Sequence, residues 1–189
     1  VLRFVLPFLL ASPALMAQDL PVYDDALQNG FEDYSYGLGS DFGATSPVHG
    51  GTKSIAFTGN DYNAVSFAHA TQDFSTAQYP TVRLWVHGGA AGGQQLRIYL
   101  QLNGAIVANA ELDTYISGGA LAASNWREVT VVLGQAPLSY AGSFDRIDLQ
   151  SDMFASQPVL YIDDVSLVAA GSPPPANALQ IEHGVTVSS

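Results

Sequence analysis

Arg83, Trp85 and His87 alternate with Val82, Leu84 and Val86, and Arg97, Tyr99 and Gln101 alternate with Leu96, Ile98, Leu100 and Leu102. Asp148 and Gln150 sit in a further apolar-alternating stretch downstream. These eight polar and aromatic side chains do non-covalent chemistry. Rings stack on apolar C–H faces, while guanidinium, amide and carboxylate groups satisfy hydroxyls. A sugar ring offers both surfaces, so Arg83, Trp85, His87, Arg97, Tyr99, Gln101, Asp148 and Gln150 form the candidate ligand-binding face. The competing reading makes Trp85 part of a second buried layer, with Arg83 or Arg97 paired to Asp148. Tyr34 and Tyr36 could instead line a site on the loop side.

A second chemistry is suggested by carboxylates near both ends of the chain: Asp24, Asp25 and Glu32 early, Asp163 and Asp164 late. Calcium takes six to eight oxygen ligands. A sandwich that brings its two chain ends together could offer these five as a structural calcium (Ca2+) site. Asp163 and Asp164 are adjacent in a strand, so only one can point at the ion unless the strand bulges. The alternative is that these acids cap turns and solvate a strand end. Calcium binding would raise the melting temperature, since a ligand of the native state stabilises it.

Covalent catalysis has no carrier here. There is no His-Glu-x-x-His, Gly-x-Ser-x-Gly or phosphate-binding glycine loop, and the four histidines lack metal-ligand spacing. A glycosidase needs two acids facing each other across a cleft, and nothing in the spacing of the acids marks one. The expectation is a binding protein and not an enzyme.

The elements that must position these residues are strands. Period-two alternation over 81–87 and 95–102 marks two half-buried strands, and the glycine-rich 88–93 stretch reads as the turn that makes them neighbours. Asn29-Gly30 and Asn103-Gly104 are hairpin-turn signals. Further strands fall at 53–57, 64–67, 106–112, 126–133, 144–150 and 159–168, and no segment has a sustained helical period. About ten short strands between turn signals predict an all-β, antiparallel β-sandwich.

The 189 residues suit one domain with short extras, and the formal net charge is −11. An acidic balance excludes a nucleic-acid partner, which needs a basic footprint, and fits a neutral or cationic one. No cysteine is present, so disulfides and thiol chemistry are excluded. Residues 1–17 read as a secretory signal peptide, with cleavage after Ala14 or Ala17, and the apolar run is too short to span a membrane. Residues 18–170 form the domain and 171–178 a proline-rich linker. Residues 179–189 are a tail or the start of a truncated second domain. The protein is expected to be secreted and linked to further domains.

Asn29-Gly-Phe-Glu32 and Tyr161-Ile-Asp-Asp-Val-Ser-Leu167 resemble the ends of the jelly-roll carbohydrate-binding modules with the galactose-binding-like fold, found on secreted bacterial glycosidases. Pro47–Ala56, Arg83–Gly89 and Asn125–Thr130 extend the resemblance over 20–169. The order of these motifs carries it more than any one of them. It implies a jelly-roll sandwich that binds a polysaccharide or glycan without cleaving it and targets a linked domain to that polymer. It also implies a structural calcium between the chain ends. Where the family often carries early tryptophans, this chain has Phe31, Tyr34 and Tyr36. A structural or adhesion module is the alternative, and it predicts arginines paired internally. A small glycoside hydrolase ranks below both.

Overall fold

A computed structural model describes residues 18–116 and 118–172. The signal peptide, most of the linker and the tail expected above lie outside the described residues. Fourteen strands follow one another: β1 (Leu20–Asp24), β2 (Ala26–Leu27), β3 (Glu32–Asp33), β4 (Ser40–Ala44), β5 (Ser54–Phe57), β6 (Ala64–Ala68), β7 (Phe74–Ser75), β8 (Thr81–His87), β9 (Leu96–Leu102), β10 (Ala105–Glu111), β11 (Trp126–Val132), β12 (Ser143–Phe144), β13 (Arg146–Ser151) and β14 (Leu160–Val168). One 3-10 turn spans Leu112–Tyr115. Among the described residues no helix is long and apolar enough to cross a membrane.

Every strand pairing is antiparallel. Seven strands form one sheet, built on the path β11-β8-β14-β1-β2, with β5 also against β14 and β4 on β5. Five form the other, in the order β10-β9-β13-β6-β3. The two inner faces meet in one core, with Val82, Leu84 and Val86 from the first sheet and Leu96, Ile98 and Leu100 from the second. Alternation therefore set the inward residues as the sequence indicates. β7 and β12 pair separately, adding Phe74 and Phe144 to the core beside Phe31. This is the jelly-roll β-sandwich expected.

Two expectations about connection fail. Asn29-Gly30 lies between β2 and β3, which belong to different sheets and form no hairpin. The strands on either side of the 88–93 glycines are not neighbours either. β8 and β9 do not pair: β8 lies between β11 and β14, and β9 between β10 and β13. The 88–93 glycines carry the chain from one sheet to the other. They do so through close backbone approach. A Cβ on Gly88 would stand 2.5 Å from the Ala122 carbonyl oxygen, and one on Gly89 (φ 58°) 2.1 Å from that of Val159. Only glycine fits there. Asn103 and Gly104, both at positive φ, do make the expected two-residue hairpin, joining β9 to β10.

Candidate functional site

The strand registers lay the outer face of the five-stranded sheet out in three rows. One row runs Glu111, Arg97, Gln150, Ala64, Tyr36. The next runs Asn109, Tyr99, Asp148, Ser66, ending at Tyr34, whose N–H donates to the Ser66 carbonyl. In the third are Gln101, Arg146, Ala68 and Glu32. Five of the eight candidate ligand residues thus share one face: Arg97, Tyr99, Gln101, Asp148 and Gln150.

A buried polar network sits at its centre. Asp148 and Ser66 are fully buried. The Asp148 carboxylate accepts from the Ser66 hydroxyl at 2.5 Å, from Arg146 Nε at 2.8 Å and from the Gln101 amide. Arg146 Nε is shared with the Ser66 oxygen at 2.7 Å, and its Nη2 reaches the Tyr34 carbonyl at 3.3 Å. The guanidinium carbon lies 5.7 Å from the Tyr34 ring centre and 5.6 Å from that of Tyr36, within cation–π range. A planar donor is thereby fixed between two aromatic rings. Gln150 joins the face by donating to the Tyr36 hydroxyl at 2.8 Å and the Tyr62 carbonyl at 3.0 Å.

Burial pushes the Tyr36 phenol up to about 12, with the Asp148 charge adding to the effect, and it raises Tyr99 as well. Both hydroxyls stay neutral at physiological pH. Arg97 is held fast by Asp152 at 3.0 Å, Glu111 at 3.2 Å and the Asn109 amide oxygen at 3.1 Å. The Asp152 bond leads in raising its pKa. Beside it a cleft of about 160 Å³ is lined by Gln95, Leu96, Glu111, Asp113 and Asp152.

Arg83, Trp85 and His87 are not part of this face, which corrects the single eight-residue face. They lie on the outer side of the seven-stranded sheet, across the core, because β8 and β9 belong to different sheets. Trp85 is half-buried there, with His49 stacked on it at 3.8 Å and 16°. His87 is buried between Trp126 and Tyr161, at 5.2 and 5.9 Å. Arg83 pairs with Asp19 at 3.2 Å. Neither Arg83 nor Arg97 pairs with Asp148; Arg146 does. Sequence reasoning passed over Arg146, although it alternates with Ile147 and Leu149 in the same stretch as Asp148.

The five acids expected to ligate calcium do not assemble. Glu32 lies on the five-stranded sheet and the other four on or beside the seven-stranded one. Asp163 and Asp164 turn to a common side because β14 does bulge, with Asp164 at φ 47°. Both face the 49–53 loop. Asp163 accepts from the N–H groups of His49 and Asp164 at 2.8 and 2.9 Å, and Asp164 bonds His49 Nδ1 at 2.5 Å. Asp25 accepts from the N–H groups of Thr52 and Lys53 at 2.6 and 2.7 Å. Those two bonds lower the Asp25 pKa, whereas burial raises that of Asp163. Among the described residues no three His, Asp or Glu side chains are grouped to hold a metal. Asp25 and Asp163 spend oxygens on N–H donors of the 49–53 loop and clamp it, and Glu32 stands on the other sheet, so the five acids do not form one cage.

No family model matches the chain. It is 29% identical over 153 residues to an endoglucanase of Dictyostelium discoideum, a match that covers 80% of this chain and 21% of that protein's length. Its structure is similar to the family 30 carbohydrate-binding module of a Clostridium thermocellum cellulosomal cellulase. That likeness has a TM-score of 0.59 at 10% identity and covers 82% of this chain and 99% of that one. It is also similar to the family 11 module of Clostridium thermocellum in complex with a β-1,3-1,4-mixed-linked tetrasaccharide. There the TM-score is 0.52 at 12% identity, covering 80% and 96%. At these identities the likeness establishes the fold.

Proposed function

We propose that the outer face of the five-stranded sheet binds a polysaccharide chain of the β-glucan class, without cleaving it. The observation that carries this reading is the Arg146 guanidinium held between Tyr34 and Tyr36 and locked by Asp148 and Ser66. Rings beside a fixed planar donor match a pyranose, whose apolar faces stack while its hydroxyls bond in plane. Among the described residues Arg146 bonds only through Nε and Nη2, so Nη1 keeps its donors for a ligand. The net charge of −11 suits a neutral polymer. The likeness to a module of a cellulase, to a module in complex with a β-1,3-1,4-mixed-linked tetrasaccharide and to part of an endoglucanase supports a glucan. The protein would act outside the cell, holding a linked domain on the polymer.

A structural module is the second reading, favoured by the ion pairs of Arg83 and Arg97, which spend those guanidinium groups internally. Titration calorimetry with glucan oligosaccharides separates the two. Binding that is lost in Arg146→Ala and retained in Trp85→Ala supports the sugar face. A folded domain that binds no glycan supports the structural role.

A further inference from the structure

Three loops join the five-stranded sheet at the same end, next to the Gln150–Tyr36 row. They are residues 37–39 after Tyr36, 60–63 before β6, and 152–157 after β13. Each carries an apolar side chain out into solvent: Leu38 is 87% exposed, Tyr62 53% and Phe154 80%. Single exposed apolar residues are ordinary, but a group of them marks a contact surface.

The loops are built rigidly. The Asn63 amide donates to the Leu38 carbonyl at 2.7 Å, and its own carbonyl accepts the Ser151 N–H at 2.9 Å. Gln157 N–H donates to the Gly59 carbonyl at 2.7 Å, and the Tyr62 ring meets Phe154 edge-to-face at 5.2 Å. Tyr62 also occupies a left-handed conformation, φ 69°, at the tip of a turn closed by Asn63 N–H to the Asn60 carbonyl. Asp61 and Tyr62 take positions that asparagine and glycine fill most easily. A bulky ring kept there against its preference points to a use for the ring.

We propose that Leu38, Tyr62 and Phe154 form a contact rim for insoluble polysaccharide, touching pyranose faces of chains adjacent to the one held on the sheet. This rests on the sugar-binding reading above. The occupant follows from continuity: one Gln150 amide bonds both the Tyr36 hydroxyl of the sheet face and the Tyr62 carbonyl of the rim. It follows also from chemistry, since the Leu38, Tyr62 and Phe154 side chains are uncharged and stack or pack on C–H surfaces. A single soluble chain satisfies the sheet, whereas an aggregated polymer presents neighbouring chains to the rim as well.

The test compares wild type with a Leu38→Ser/Phe154→Ser double variant and, separately, with Tyr62→Asn. Both exposed side chains in the double variant can be cut without opening the core. Adsorption is measured on amorphous cellulose and on an insoluble mixed-linked β-glucan, and calorimetry uses the matching hexasaccharides. The expected result is unchanged hexasaccharide affinity with adsorption weakened about tenfold in both variants. Tyr62→Asn should also melt higher than wild type, since asparagine tolerates the left-handed region. Unchanged adsorption beside intact hexasaccharide binding overturns the rim and leaves the sheet reading standing. So does a dimer, seen by sedimentation equilibrium, that the double variant dissociates without losing adsorption. Wild type that binds neither form of either glycan overturns the sheet reading first.

Discussion

Arg146 and Asp148 stand two positions apart on β13 and bond side by side on one face of the sheet, Nε to Oδ1 at 2.8 Å. The carboxylate is fully buried, and the guanidinium covers it. A charge so placed is tolerated because Ser66 and Gln101 fill its remaining acceptor sites. The pair gives the face a donor whose orientation is set before any ligand arrives, which lowers the ordering cost of binding.

Cutting Arg146 to alanine should lower oligosaccharide affinity at least tenfold, about 1.4 kcal/mol. Arg146→Lys should recover little of it, since lysine keeps the charge without the planar fork. Calorimetry at constant ionic strength reads the difference. Affinity restored by lysine would show that charge alone matters.

Asp148→Ala should be costlier for stability than for any contact it makes. It leaves the Arg146, Ser66 and Gln101 donors facing one another without their acceptor, a loss of about 3 kcal/mol. Chemical denaturation measures this. A cost below about 1 kcal/mol would mean that the network relaxes or fills with water.

Tyr34→Ala and Trp85→Ala should have opposite signatures, because the two rings lie on opposite faces. The first should weaken binding several-fold with a small change in stability. The second should leave binding intact and destabilise by about 2–3 kcal/mol, removing the ring on which His49 packs. Loss of binding in Trp85→Ala alone would put the ligand on the seven-stranded sheet.

His87 gives a pH dependence. Burial lowers its pKa below the usual 6.5, and its Nδ1 accepts the Gly89 N–H at 3.0 Å. A depressed folded-state pKa means that the unfolded chain takes up the proton first. Its contribution is therefore complete above pH 6.5 and is lost as pH falls through the lower folded value. The melting temperature should drop between pH 7 and pH 5, and less in His87→Asn, which keeps an acceptor for Gly89 but cannot titrate. Equal slopes in the two proteins would assign the drop to other groups.

Calcium should leave the melting temperature of chelator-stripped protein unchanged within about 1 °C at millimolar concentration, because Asp25 and Asp163 already accept N–H groups and Asp164 bonds the His49 ring. A clear rise would show that an ion displaces those donors. Asp25→Ala and Asp163→Ala would then locate it.

Much of the sandwich can be read from the chain alone. Side chains alternate across a strand whatever its neighbours, so 82, 84 and 86 point into the core while 83, 85 and 87 point out. The two-residue turn at Asn103-Gly104 is likewise local, because those residues accept the left-handed angles it needs. What alternation leaves open is which strands share a sheet. That depends on pairings between residues far apart, such as Asp148 with Tyr99 and Asp163 with Trp85. The same holds for the acids at the chain ends, whose partners are backbone N–H groups of a loop more than a hundred residues from Asp163. Local sterics determined the faces of each strand; only tertiary pairing placed Trp85 and Tyr99 on opposite sides of the molecule and gave Arg146 its two tyrosines.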